Sequence, residues 1–588
     1  MRHRLAASFS LLALLVSMSA TSRSVRAAEE WEVIFQQNIA SEYSETRQDA
    51  LKQIDTTSVK GLRTIWNFLD KIAPKDPLRY DWFVREGAYE ALLNATGDEC
   101  MAEIERVLDG KGFENAKEAI VYGVIWKVRK AFEKEHGGND DDKIAEAKWM
   151  LRKKRGVEYF ALVLPTVKKL DPDQRMLRWI RKAFEDKSPD VRLAAIQGML
   201  VYPDNGSVGL LIGNLEDLEK QKSKAYKEWV FTRYALEVLT GQYYRDSVED
   251  WSRWWELMKD QFSIEKRVEE DVGEEKDGAS RGKTQVVNTG GVEVTVQMKI
   301  AGDPKGYPLL VLPRLGYEPD YFRPYFHGVE EFCRIYYVQM PQIEDFKGLK
   351  RDANTNLVIY PTEILADAVA KVMQESGLEK FAVLGHGPES STQAIYVAGK
   401  FQKLVSHLVV INPYFAGDRY GDVIQNVVRH GRAIKNPEVE HGAQNLQLKQ
   451  DGKREYEPTD AAEEGGLGRA LLNIRYDDPS SPEVGAMQFL YGVSGGTGML
   501  NDRNWSVAKV FDSKQPRLAV LVMVGEQSPW TPAAEVNRVA TFFRGSTTVR
   551  FKGSAEHMFM TETYRFTKEL ETWLKRTGVK FESAKGKD

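Results

Sequence analysis

Phe381-Ala-Val-Leu-Gly-His-Gly-Pro-Glu-Ser390 decides how the second half of this chain is read. Phe381 to Leu384 is a short apolar run after a polar helical segment, the pattern of a strand buried in a parallel sheet. Gly385-His386-Gly387 predicts a sharp turn, and Ser390 to Ala398 returns to helical spacing.

Working outward, Val292 to Ile300 alternates as a half-buried strand, and Asp303-Pro-Lys-Gly306 turns the chain. Pro308 to Pro313 and Phe332 to Val338 are short apolar strands, and Ile364 to Met373 has helical spacing ended by Gly377. Leu404 to Pro413, Arg517 to Val524 and Thr547 to Phe551 supply further strands, and Phe566 to Leu574 a closing helix. Short apolar strands separated by helices predict a doubly wound, mostly parallel sheet.

This order, from about 291 to 578, resembles the α/β-hydrolase fold, with an insert at about 415–514. The Phe381 stretch resembles that family's Gly-His-Ser-x-Gly elbow, a strand, tight turn and helix that hold a nucleophilic serine. The resemblance puts Gly387 in the nucleophile's place and Glu389 in that of the second glycine. It puts Pro313 and Arg314 where the family's His-Gly loop helps form the oxyanion hole, Ser528 in the acid's place, and His557 in the histidine's place. One triad position of three is kept. Acyl transfer by this route needs an oxygen nucleophile beside a base, and glycine offers none. Proline has no N–H to give an oxyanion. Loss of the nucleophile alone costs about a millionfold in turnover in a serine protease. The resemblance therefore implies a hydrolase-like domain that has lost catalysis.

Three routes would rescue an enzyme. Gly492-Val-Ser-Gly-Gly496 matches Gly-x-Ser-x-Gly and makes Ser494 a candidate nucleophile, although no strand-turn-helix frame surrounds it. Ser390 and Ser391 lie one turn beyond the elbow, where packing is the simpler role. Glu526 or Glu556 would serve His557 as its acid, with Glu389 lining a water-activating site.

The 588 residues exceed what one core supports, so two or three domains are expected. Hydrophobic residues make 42% and charged residues 29%, with a net charge of −4. That balance fits a globular chain and gives no basic excess for nucleic acid. Cys100 and Cys333 lie far apart and read as two buried free thiols. No paired Cys or His cluster or phosphate-cradling loop appears, so no cofactor or metal is expected. Asp140-Asp-Asp142 reads as a solvated loop.

Residues 1–27 read as a signal peptide: Arg2 and Arg4, an apolar run from Leu5 to Ala20, and Val25-Arg-Ala27 before cleavage. An exported protein, periplasmic or extracellular and without a membrane span after cleavage, is the expectation. From 29 to 263 the pattern is helical. The Val84 to Asp98 and Ser188 to Leu200 segments share a phrase: Val-Arg, small residues, leucine, turn. That phrase resembles HEAT repeats. The close of this region, Leu239-Thr-Gly241 and then Trp251, Trp254 and Trp255, resembles exported bacterial HEAT-repeat proteins. The tryptophans are expected to cap the last helix. Residues 264–290, almost wholly charged and polar, read as a flexible linker, and 579–588 as a polar tail.

The expected function is binding: a protein partner on the helical region and a small-molecule or peptide ligand in the hydrolase-like cleft, lined by Tyr414, Tyr420 and Trp530. The alternatives are an active esterase or peptidase using Ser494, and a structural envelope protein.

Overall fold

A computed structural model of the chain describes residues 30–581. Stretches 1–29, 272–279, 350–361, 445–480, 482–505, 512–517 and 582–588, and isolated positions between them, lie outside the described residues. The first half is helical. It runs α1 (30–38), α2 (Ser44–Lys52), α3 (Val59–Asn67), α4 (Trp82–Leu92), α5 (Asp98–Asp109), α6 (Glu114–Gly137) and α7 (Asp141–Lys153). It continues through α8 (Val157–Leu170), α9 (Arg175–Phe184), α10 (Pro189–Val201), α11 (Asn205–Glu219), α12 (Tyr226–Thr240), α13 (Val248–Met258) and α14 (Ile264–Asp271).

Side chains mark where these helices begin. Asp81 accepts from the Val84 amide at 3.0 Å, Asp204 from Gly206 at 2.8 Å and Ser247 from Asp250 at 3.1 Å, each giving a partner to an amide that the first helical turn leaves free. The two Val-Arg phrases fall on α4 and α10, followed by α5 and α11. Gly241 closes α12 at φ +73, a left-handed stop that glycine takes without strain, and its N–H reaches the Glu237 carbonyl at 2.8 Å. The tryptophan cluster packs inward. Trp251 is buried edge-on against Tyr244, and Trp255 lies so close to Gly209 of α11 that a Cβ there would stand 3.1 Å from its indole nitrogen. Asp140 accepts from the amides of Asp142 and Lys143, so the expected aspartate loop is the start of α7.

The second half is a sheet of nine strands among the described residues: β1 (Ser280–Thr289), β2 (Val292–Gly302), β3 (Tyr307–Leu312), β4 (Cys333–Gln339), β5 (Phe346–Lys347), β6 (Phe381–His386), β7 (Val405–Ile411), β8 (Ala519–Gly525) and β9 (Thr547–Phe551). The order is β1-β2-β4-β3-β6-β7-β8-β9, with β5 on β2. Pairs made by β2 are antiparallel, and all from β4 to β9 are parallel. Among the described residues the domain also has helices α15 (Pro319–Phe326), α16 (Thr362–Glu375), α17 (Gly387–Lys400), α18 (Tyr420–Ala433), α19 (Val507–Val510), α20 (Ala533–Phe542), α21 (Met558–Thr561) and α22 (Thr563–Arg576). A helical region followed by a doubly wound, mostly parallel α/β-hydrolase-type sheet is the fold expected from the sequence. Cys100 and Cys333 are free and buried.

In the stretch expected as a linker, 264–271 and 280–290 are held in the fold. Ile264 is buried and its amide donates to the Asn205 side chain at 2.8 Å, while Arg267 donates to the carbonyls of Val238 and Leu239 at 2.9 and 2.7 Å. The Arg267 guanidinium thus answers the carbonyl end of α12. Ser280 to Thr289 then pairs along its whole length with β2. It reads as polar because, among its described side chains, only Val287 and Thr289 are buried. The tail also starts inside the fold: Val579 is buried, and the Phe581 ring packs at a tilt on Phe332, 5.1 Å between centroids.

The halves share one hydrophobic core. It runs from the helical region through α12, α15 and α22 to one face of the sheet, and a second cluster fills the other face beneath α16 and α17.

Candidate functional site

The chain turns at the last of the three residues expected to make the turn. Gly385 and His386 still belong to β6, and the backbone reverses at Gly387, with φ +78. Gly385 has a different task. A Cβ there would stand 2.2 Å from the Ser390 carbonyl, so α17 can fold back on its own strand only across a glycine. Ser391 donates to the carbonyls of Gly385 and Ile411, at 3.0 Å each, and Ser390 to that of Pro313. Both hydroxyls are buried and hold the ends of three strands together.

Arg314, the residue after Pro313 at the end of β3, turns its side chain onto Gly387. A Cβ on Gly387 would lie 3.1 Å from Arg314 Nη1 and 3.4 Å from its Cγ. A side chain at 387 would therefore press on the Arg314 guanidinium, which would have to give way by a few tenths of an ångström. Arg314 is buried and ion-paired with Glu556, and its Nη2 lies 3.9 Å from Glu389. Burial alone would lower the Arg314 pKa, but Glu556 and Glu389 outweigh it and the guanidinium is held more firmly charged.

Ser528, after β8, donates to Glu556 at 3.5 Å. The two residues expected at separate roles, the acid's place and a possible acid for His557, thus converge with Arg314 in one buried charge cluster. His557 is buried beside Tyr317, Tyr321, His386 and Phe559, at ring separations of 5.8, 6.0, 5.1 and 5.6 Å. His386 Nε2 makes a 3.1 Å contact with the Glu556 carbonyl. Asn412, at φ +50 after β7, accepts from the Gly525 amide at 3.0 Å and donates to the Ala555 carbonyl at 3.3 Å. It fixes the loop that carries Glu556 and His557 against the ends of β7 and β8. Asn412, Tyr317 and Tyr321 were not singled out from the sequence as site residues. The Asn-Pro that ends a strand run was the signal available for the first.

Other expected residues fall elsewhere. Ser494 lies outside the described residues. Tyr414 and Trp530 do not line an open cleft: Tyr414 donates to the Trp530 carbonyl, and both are buried with Val427 and Val439. The Tyr420 side chain lies outside the described residues. Glu526 sits 3.7 Å from Arg550. His407 contacts Tyr307 and Ser406, and burial lowers its pKa and that of His430.

A second buried cluster joins the halves. Glu237 of α12, His327 and Glu330 bring ligand-type atoms within 4.8 Å of one another. Arg323 of α15 fills their centre. It donates to both Glu237 oxygens at 2.9 Å and to Glu330 at 3.0 and 3.3 Å, while His327 Nδ1 and the Tyr337 hydroxyl approach Glu330 at 3.0 and 2.9 Å. Burial would raise the Glu330 pKa, but Arg323 and His327 hold it down at about 2. The guanidinium takes the position that a cation would need.

No family model matches the chain, and no curated protein does. Solved structures match its sheet-bearing half. A meta-cleavage product hydrolase from Pseudomonas fluorescens is 15% identical over 50% of this chain and 98% of its own, with a TM-score of 0.34. VinJ is 16% identical over 50% and 99%, with a TM-score of 0.37. A thermophilic esterase from Thermogutta terrifontis is 15% identical over 51% and 100%, with a TM-score of 0.32. This chain is similar to them at the level of fold.

Proposed function

We propose that this chain is an exported binding or scaffold protein whose hydrolase-like domain no longer performs acyl transfer. One observation carries the reading: the Arg314 side chain occupies the space over Gly387. A nucleophile is absent from that turn, and its replacement is a buried cation pinned by carboxylates from two other segments. Such a group does not attack a carbonyl. Pro313 offers no N–H for an oxyanion beside it.

The helical region, read as a HEAT-like surface, is the part that meets a protein partner. Residues 1–27, read as a signal peptide, place the mature protein in the periplasm or outside the cell. The test is labelling of the full chain with a fluorophosphonate probe, beside Ser494→Ala and His557→Ala variants. Absence of labelling and of ester turnover in folded protein is expected. Labelling lost in both variants would establish the rival, a hydrolase with Ser494 as nucleophile.

A further inference from the structure

Helix α2 begins without a cap of its own. Tyr43 holds the N-cap position and makes no side-chain hydrogen bond to the first turn. The partner comes from the other half of the chain. Glu438 Oε1 accepts from the Ser44 amide at 2.8 Å and from the Ser44 hydroxyl at 2.9 Å, across 394 residues. A carboxylate at a helix N-terminus meets free amides and the positive end of the helix dipole. Burial lowers the Arg47 pKa, and Glu438 works against it, so a second group of α2 also favours the carboxylate. Ser44 is buried and Glu438 half-buried.

Glu438 belongs to a packed unit. After α18 the Asn436 amide donates to the Gly431 carbonyl at 2.9 Å, and the Asn436 side chain accepts from the Val439 amide at 3.2 Å. A Cβ on Gly431 would stand 2.7 Å from Val439 Cγ1, so the turn lies directly on the helix. Arg432 Nε donates to Glu440 at 3.0 Å and ties the same two stretches.

This unit sits on the loop that follows β8. Val427, Val439 and Ile434 pack with Tyr414 and Trp530, and Asn426 Nδ2 donates to the Pro529 carbonyl. Ser528, one residue earlier, donates to Glu556, the carboxylate paired with Arg314. The unit thus backs the loop that walls the Arg314 cluster, and Ser44 ties it to the helical half.

We propose that Ser44 and Glu438 form a latch: the helical half holds the 425–440 unit down on the loop after β8, and release of the latch opens the way to the buried Arg314 cluster. The latch goes beyond the binding reading and stands whether the cleft binds or reacts.

The test is hydrogen exchange of the full chain read by mass spectrometry, with phenylglyoxal modification of Arg314 followed in the same samples. Glu438→Ala removes the acceptor of both bonds, and Ser44→Ala removes one donor. Glu438→Ala should speed exchange in 425–433 about tenfold or more, and Ser44→Ala severalfold. Arg314 should be modified faster in both, while β6 exchanges as in the unaltered chain. Should Glu438→Ala fail to fold, Ser44→Ala carries the same comparison. Exchange in 425–433 that ignores the substitutions would overturn the latch. So would acceleration that extends equally to β6, because the whole fold would then have loosened. Faster exchange in 425–433 with Arg314 modified no faster would mean a unit that loosens without uncovering the cluster, and would overturn the proposal as well.

Discussion

Arg314 Nη1 stands 3.1 Å from the point that a Cβ on Gly387 would occupy. The turn has a left-handed backbone, φ +78, and a neighbouring strand end lays the Arg314 side chain against it. Gly387→Ser should therefore fail as a simple repair. The new Cβ needs Arg314 to move, and a non-glycine residue at this φ is strained by about 1–3 kcal/mol. Chemical denaturation should show a loss of that order and no fluorophosphonate labelling. Gly387→Ser with Arg314→Ala should relieve the crowding but not the backbone strain, and stability relative to Arg314→Ala alone would measure that strain. Full native stability of the single Gly387→Ser variant would show that the crowding is not real.

Arg314→Met should cost about 3–5 kcal/mol, because it leaves Glu556 buried and uncompensated. Arg314→Met with Glu556→Gln should recover a large share of the loss, since the buried charge then goes with its partner. A urea-unfolding cycle of the four proteins measures the coupling. Strict additivity would contradict the ion pair.

The joint of Arg323, Glu237, Glu330 and His327 makes a pH prediction. Glu330 has a folded pKa of about 2 against an ordinary value of 4.5. A lowered carboxylate pKa contributes stability that is present in full above 4.5 and is lost as pH falls through about 2. Unfolding free energy measured from pH 5 to 2 should fall along this slope, and Glu330→Gln should flatten it. An unchanged slope would show that other carboxylates carry the acid response.

Both halves share a core through α12, α15 and α22. Calorimetry of the full chain should thus give one cooperative transition, and Arg323→Ala, which leaves Glu237 and Glu330 without their cation, should lower it without splitting off an intact helical region. Two well-separated transitions in the unaltered chain would refute a common core.

Trp251→Ala should cost about 3–5 kcal/mol, as for other large buried aromatics, with little effect if the tryptophans were an exposed binding platform. Guanidinium-chloride unfolding decides between the two.

What the sequence by itself determined is the part set by local pattern. Apolar runs of strand length, helical spacing and glycine stops give an α/β sheet after a helical region, with most strands within two residues of their observed bounds. Gly387, Pro313, Arg314, Ser528 and His557 were assigned through a resemblance, and the structure brings Arg314 against Gly387 and Ser528 against Glu556. Tertiary structure decided the rest, because the deciding interactions join distant segments. Nothing local says that Arg314 reaches across to Gly387, or that Glu556, 242 residues away, holds it there. Polar stretches misled for the same reason. The 264–290 segment has no apolar period, yet Arg267 lies on the carbonyls of α12 and residues 280–289 pair with β2. Hydrogen bonds to another segment's backbone leave no mark on the pattern of hydrophobicity, so only the folded chain reveals them.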